Sequence, residues 1–227
     1  MADRTVLITG GTGGLGGAVT SAFVADGWRV VVPTFPGREE APGAEVVPAV
    51  DLTDPDQVAR TLDVAAGDAG APLRAVVNLV GGYAGGANVD ATPLADFERQ
   101  FTLNLRPTYL VTQAALPHLI GAGGGSIVCV SSRAAVQPFA GAAGYISAKA
   151  AVIAFAQAVA VEYRDQFVRC NAVLPSVIDT PVNRSSMPDA DFDRWVSPAE
   201  IAGVIRFLAG EESTPTSGAA VPVYGRA

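Results

Sequence analysis

The stretch that most limits what this chain can become is TVLITGGTGGLGGAV, residues 5–19. It begins with apolar or β-branched residues that read as a strand buried on both faces. Glycines then dominate, and a helical pattern runs from Leu15 to about Asp26. A buried strand that passes through a tight glycine turn into a helix is the opening unit of a parallel sheet covered by helices. Thr9, Gly10, Gly14 and Gly16 space the turn as T-G-x-x-x-G-x-G. Without side chains there, the backbone can approach a pyrophosphate closely, and the free N–H groups at the helix start attract its charge.

The rest of the chain repeats the alternation. Further strands are expected at 29–33, 45–50, 73–79, 126–131, 168–174 and 219–223. Asp54-Pro55, an N-cap acid followed by proline at N1, opens one helix, and Ser197-Pro198 opens another over 199–208. A long helical region over 93–120 is interrupted by Pro107 and Pro117, and a further helix covers about 145–163. Segment 182–196 is polar and mixed, lacks periodicity and reads as a mobile lid. No linker, repeat or low-complexity run divides the sequence. The expectation is one domain over residues 1–227, an α/β, doubly wound Rossmann fold whose mostly parallel sheet has about seven strands with helices on both faces.

Such sheets gather ligands at the carboxyl ends of their strands, and the candidate residues fall there. The second strand ends at Thr34 and Phe35, shortly before Arg38. An acid at this tip would bind the ribose 2′-hydroxyl of NAD, and none is present; Arg38 could meet the 2′-phosphate of NADP or stand solvated in its loop. Asp51 follows the third strand, as an acceptor for an adenine amino group or as a turn residue. Gly81 and Gly82 come after Asn78 and Val80, giving a second close backbone approach. Asn104 lies inside a helical region, where an amide is either buried and functional or solvent-facing. Ser132 stands just past the fifth strand, and Thr180 between Asp179 and Pro181 after the sixth.

Tyr145 and Lys149 are one helical turn apart, so the phenol and the ammonium share a face. A fixed cation beside a phenol favours the phenolate, which lowers its pKa from about 10 and suits it to exchange a proton with an alcohol or carbonyl.

Charge and composition remove several other classes. Acidic residues outnumber basic ones 22 to 15, for a net charge of -7, and the cations are scattered, which argues against a nucleic-acid partner. The amino terminus passes directly into a strand, and no window reaches the roughly 18 apolar residues of a membrane span, so a cytoplasmic protein is expected. Cys129 and Cys170, each in an apolar run, read as buried thiols, with neither a disulfide nor a metal site expected. His118, the only histidine, lies near a helix end, where a capping or surface role suits it better than catalysis.

Taken together, these features resemble the short-chain dehydrogenase/reductase family over essentially the whole chain. The resemblance is carried by TGGTGGLG, by YISAK as Tyr-x-x-x-Lys, by Ser132 thirteen residues before the tyrosine, and by Asn104 and Asp51. Asn78 in NLVGG stands for the family's N-A-G motif, and PSVIDT for its P-G-x-x-x-T loop. It implies hydride transfer between NADP or NAD, the former slightly favoured, and a small carbonyl or alcohol. Tyr145 is then the general acid or base, Lys149 lowers its pKa and holds the nicotinamide ribose, Ser132 binds the reacting oxygen, and Asn104 positions a relay water. The implied cofactor contacts are Gly10, Thr12, Gly14, Leu15 and Gly16 at the turn, Thr34 and Arg38 at the ribose, and Asp51 and Leu52 at the adenine. Asn78 serves the adenosine side and Thr180 with Ile178 the nicotinamide amide, with Val80, Gly81 and Pro175 as further implied contacts. A homodimer or homotetramer is also implied, with the apolar helix after Lys149 in the contact.

Departures from the pattern are Leu79, Val80 and Gly81 after the asparagine, Ser176 in place of a glycine, and the ending VPVYGRA in place of Asp-Gly-Gly. The alternative from another class is a nucleotide-binding sensor or scaffold that kept the fold and lost its chemistry. The joint presence of Ser132, Tyr145, Lys149 and Asn104 argues for the enzyme.

Overall fold

The computed structural model describes residues 2–37 and 40–226. Its strands are β1 (Thr5–Thr9), β2 (Arg29–Pro33), β3 (Glu45–Val47), β4 (Leu73–Asn78), β5 (Gly125–Val130), β6 (Val168–Pro175) and β7 (Ala220–Val223). They form one sheet in the order β3-β2-β1-β4-β5-β6-β7, with every pairing parallel. Parallel neighbours need crossovers, which are supplied by α1 (Gly16–Ala25), α2 (Pro55–Ala66), α3 (Leu94–Asn104), α4 (Arg106–Gly121), α5 (Ala143–Glu162), α6 (Pro181–Ser186) and α7 (Pro198–Ala209).

Side chains alternate across the strands, so each apolar run feeds two cores. Leu7, Val76, Ile127, Cys129, Cys170 and Leu174 meet Leu62 of α2, Val111 and Leu119 of α4 and Val152 of α5. Val6, Ile8, Val32, Val77, Val128 and Val173 meet Val19 and Phe23 of α1 and Ile201, Ile205 and Leu208 of α7. The expected buried thiols are found there, Cys129 and Cys170 both fully covered and unbridged. Apolar length alone would let α5 cross a membrane, but its Ala148, Val152, Ala156 and Val159 are buried in the core beside the sheet.

The chain steps outward from β1 to β3 and then returns to place β4 on the other side of β1. That reversal opens a crevice beyond the strand ends, where Thr9 of β1 pairs with Asn78 of β4.

Several expected boundaries shift. β3 ends at Val47 rather than Val50, although Val50 N–H still donates to the Thr34 carbonyl and keeps the chain beside β2. The helical region over 93–120 is two helices broken at Leu105; Pro107 lies in the first turn of α4, where no N–H is needed, and Pro117 is inside it. Segment 182–196 holds most of α6 and a 3-10 turn at Phe192–Arg194, with irregular chain between them. Its base is pinned by the Asp179 N–H bond to Val196, by the Arg184–Asp179 ion pair, and by Arg184 lying 4.6 Å over the Phe192 ring. The pattern was illegible because Thr180 and Pro181 cap and start a helix too short to show periodicity.

Candidate active site

A cleft of about 1360 Å3 runs across the strand ends from Asp51 to Tyr145. Its floor begins at the glycine turn. Gly10 has φ +70°, in the left-handed region, and Gly16 comes so near that a Cβ on it would overlap the Gly10 carbonyl oxygen. Gly13 N–H closes the turn onto Gly10 O at 3.0 Å. Gly10, Thr12, Gly14, Leu15 and Gly16 all line the cleft, as do Leu52, Val80, Gly81, Pro175 and Ile178.

Other sequence-derived candidates sit differently. Thr34 is buried and outside the lining, its hydroxyl without a partner among the described residues, leaving Pro33 and Phe35 to form the lining. Arg38 lies outside the described residues. Asp51 lines the cleft and builds a turn, its Oδ1 accepting from Thr53 N–H at 2.8 Å and Thr53 Oγ1 at 2.7 Å. Asn78 turns away from the cleft; its amide donates to Thr112 Oγ1 at 3.2 Å and faces Cys129 Sγ, and the backbone after it does the lining instead. Thr180 does not line the cleft. Its hydroxyl caps α6 by accepting from Asn183 N–H, and its methyl group packs over Gly14.

The catalytic candidates come together at the far end. Ser132 caps a short 3-10 turn, its Oγ accepting from Ala134 N–H at 3.2 Å. Ser131, beside it, donates to the Lys149 carbonyl at 2.7 Å and so serves the backbone. Lys149 is 5 % exposed, and its ammonium donates to Val130 O at 3.0 Å. Burial lowers its pKa to about 8, against a small opposing effect of Cys129. Tyr145 is pushed up by burial; the nearby Ser132 hydroxyl acts the other way, and the neighbouring Tyr83 adds to the rise. The expected depression of the phenol by Lys149 is not found in the protein alone: removal from water dominates, and Lys149 is not among the groups that shift the phenol.

Asn104 is buried, which settles its placement. Its Oδ1 accepts from Gly82 N–H and its Nδ2 donates to Gly82 O, both at 3.0 Å, while Nδ2 also reaches Gln100 O. The carboxamide thus clamps the loop after β4 to α3. Gly81 fits between the two polar groups: a Cβ there would stand 2.7 Å from Asn104 Oδ1 and 2.9 Å from Lys149 Nζ.

The residues missing from the sequence reading are aromatic. Tyr83 meets Tyr145 edge-on, with ring centroids 5.2 Å apart and planes at 85°, and Phe139 lies 6.3 Å from Tyr83. Gly86 N–H bonds to Gly141 O at 2.7 Å, tying Tyr83's loop to the segment before α5. Both rings sit in loops whose sequence carries no periodic signal.

Glycine cradle, switch-point crevice and a Ser–Tyr–Lys cluster define a dinucleotide-binding α/β protein of the oxidoreductase class. The family model for short chain dehydrogenase matches residues 4–191, and the chain belongs to that family. It is 30% identical over 251 residues to 2-(R)-hydroxypropyl-CoM dehydrogenase of Xanthobacter autotrophicus, covering 98% of each chain. It is 32% identical over 231 residues to 3-oxoacyl-[acyl-carrier-protein] reductase MabA of Mycobacterium tuberculosis, covering 98% of this chain and 92% of the relative. Among solved structures, ElxO with NADP bound superposes with a TM-score of 0.90 at 25% identity, covering 98% of each chain.

Proposed function

We propose that this chain transfers a hydride between NADP(H) and a small carbonyl or alcohol carbon, with Tyr145 as general acid in reduction and general base in oxidation. The observation that carries the reading is the meeting of Ser132, Tyr145 and Lys149 at one end of a cleft whose other end is the glycine turn. The bound nicotinamide supplies or accepts the hydride.

The chain supplies placement and proton control. Gly10 and Gly16 hold the turn open for a pyrophosphate, with Leu52 and Asp51 toward the adenine. Lys149 uses one ammonium hydrogen on Val130 O, which leaves two donors for the ribose hydroxyls of the cofactor. Ser132 orients the reacting oxygen. The raised phenol pKa keeps Tyr145 protonated at neutral pH, the state needed to donate to a carbonyl oxygen during reduction. Asn104 keeps the backbone between itself and Lys149 in place, and its proton-relay role rests on that proximity.

Relatives named for oxidation of a hydroxypropyl group and reduction of an oxoacyl group support a CH–OH or C=O substrate. For the cofactor, the NADP-bound structural neighbour and the lack of an acid at Thr34 and Phe35 support NADP over NAD, with Arg38 as the partner of the 2′-phosphate. We further read the chain as one cytoplasmic domain that self-associates through α4 and α5, where Tyr109 and Val161 are exposed.

Tyr145→Phe tests the central assignment. Turnover should fall by about a thousandfold or more while NADPH still quenches protein fluorescence with near-wild-type affinity. A variant that reduces ketones at the wild-type rate contradicts the assigned role.

A further inference from the structure

Three charged side chains line the cleft among the described residues: Asp51, Lys149 and Arg133. Asp51 stands at the end away from Tyr145, and Lys149 is buried behind the reacting centre. Arg133 follows Ser132 directly and is neither buried nor fully exposed.

Its guanidinium is held from two sides. Nε donates to Gln137 Oε1 at 2.7 Å, and Cζ lies 5.1 Å over the Tyr224 ring. The Tyr224 backbone is tethered, Ser176 Oγ donating to its carbonyl at 2.7 Å. Ser176 and the VPVYGRA ending are two of the departures noted in the sequence, and here they act as one support for one cation. No carboxylate lies within ion-pair reach of Arg133 among the described residues, and neither terminal nitrogen has a hydrogen-bond acceptor there. In a chain with a net charge of -7, a cation oriented at Nε and stacked on a ring, yet left without an anion, is set up to receive one from solution. The neighbouring walls, Phe139, Val177 and Met187, suit a short apolar spacer.

We propose that Arg133 is the specificity-determining residue of this cleft and binds the carboxylate of a substrate whose carbonyl sits at Ser132 and Tyr145. The proposal rests on the cleft described under Proposed function, and deepens it by naming the substrate class as short oxo acids and hydroxy acids. Fork geometry lets the terminal nitrogens take a carboxylate bidentately, which a lysine ammonium cannot reproduce.

The test is direct binding to the NADP+ complex, which has no hydride to give an oxo probe, by calorimetry, using a short 3-oxo acid and its uncharged methyl ester as paired probes. Wild type should prefer the acid by about tenfold or more, the range of a charge-assisted hydrogen bond. Arg133→Gln should erase the preference, and Arg133→Lys should keep only part of it. Tyr224→Leu, which removes the ring beneath the guanidinium and leaves the charge, should weaken acid binding more than ester binding. Equal affinity for acid and ester, no binding of the acid, or full preference in Arg133→Gln overturns the proposal. Because binding is read without turnover, acid preference in a protein that reduces neither probe would sink the hydride-transfer reading and leave the Arg133 site standing.

Discussion

Gly16 leaves no room for a methyl group beside Gly10, since a Cβ would overlap the Gly10 carbonyl oxygen. Gly17, the next residue of α1, has open space around its Cα. The pair separates the turn's demand from a generic glycine effect. Gly16→Ala should lower unfolding stability by about 2 kcal/mol or more and weaken NADPH binding at least roughly tenfold, because the turn must open. Gly17→Ala should raise stability by about 0.5–1 kcal/mol, as alanine does in a helix. Urea unfolding and fluorescence titration read both. Equal behaviour of the two variants would mean that the turn does not set the floor of the cleft.

Lys149 should make stability pH-dependent in a defined direction. Its folded pKa of about 8 lies below the ordinary 10.5, so between those values the unfolded chain holds more protons. Stability from this group therefore rises with pH in that window and is lost as pH falls through about 8. The shift corresponds to on the order of 3 kcal/mol of disfavoured charge burial at neutral pH. Lys149→Met should be inactive yet more stable than wild type at pH 7, by about 1–3 kcal/mol, with the advantage narrowing toward pH 10.5. An advantage that does not change with pH would contradict the burial of a charged ammonium there.

Phe35 offers a test of cofactor choice, because it is exposed and lines the cleft at the tip of β2. Phe35→Asp places an acid where a 2′-phosphate would lie. The ratio of NADH to NADPH affinity should shift toward NADH by about tenfold. An unchanged ratio would show that this tip does not read the ribose.

Much of the fold was legible because its strands are buried on both faces and appear as unbroken apolar runs such as RVVVP and SIVCVS. The helix starts at Asp54-Pro55 and Ser197-Pro198 were equally plain; Ser197 and Glu200 form a full capping box. The motif spacings also located Ser132, Tyr145 and Lys149 in one cleft. Long-range contacts were less visible. Nothing local indicates that Asn78 turns toward Thr112 and Cys129, or that the Thr180 methyl group covers Gly14. Tyr83 reaches Tyr145 through a loop tied to Gly141, and Arg133 is set by Ser176 and Tyr224, which follow the neighbouring strands β6 and β7 but lie far from it in sequence. The rise in the Tyr145 pKa was hidden for the same reason: helical spacing reveals the nearby cation, whereas the extent of desolvation depends on tertiary packing.

The central claim, hydride transfer assisted by Tyr145, is tested most directly with NADPH carrying deuterium at the transferable C4 position of the nicotinamide. Incubated with short ketones and oxo acids and followed by mass spectrometry and NMR, the protein should place deuterium on the carbinol carbon of the product alcohol. Tyr145→Phe should bind the same cofactor and transfer almost none. Tight NADPH binding with no deuterium delivered to any ketone, aldehyde or oxo acid would contradict the claim.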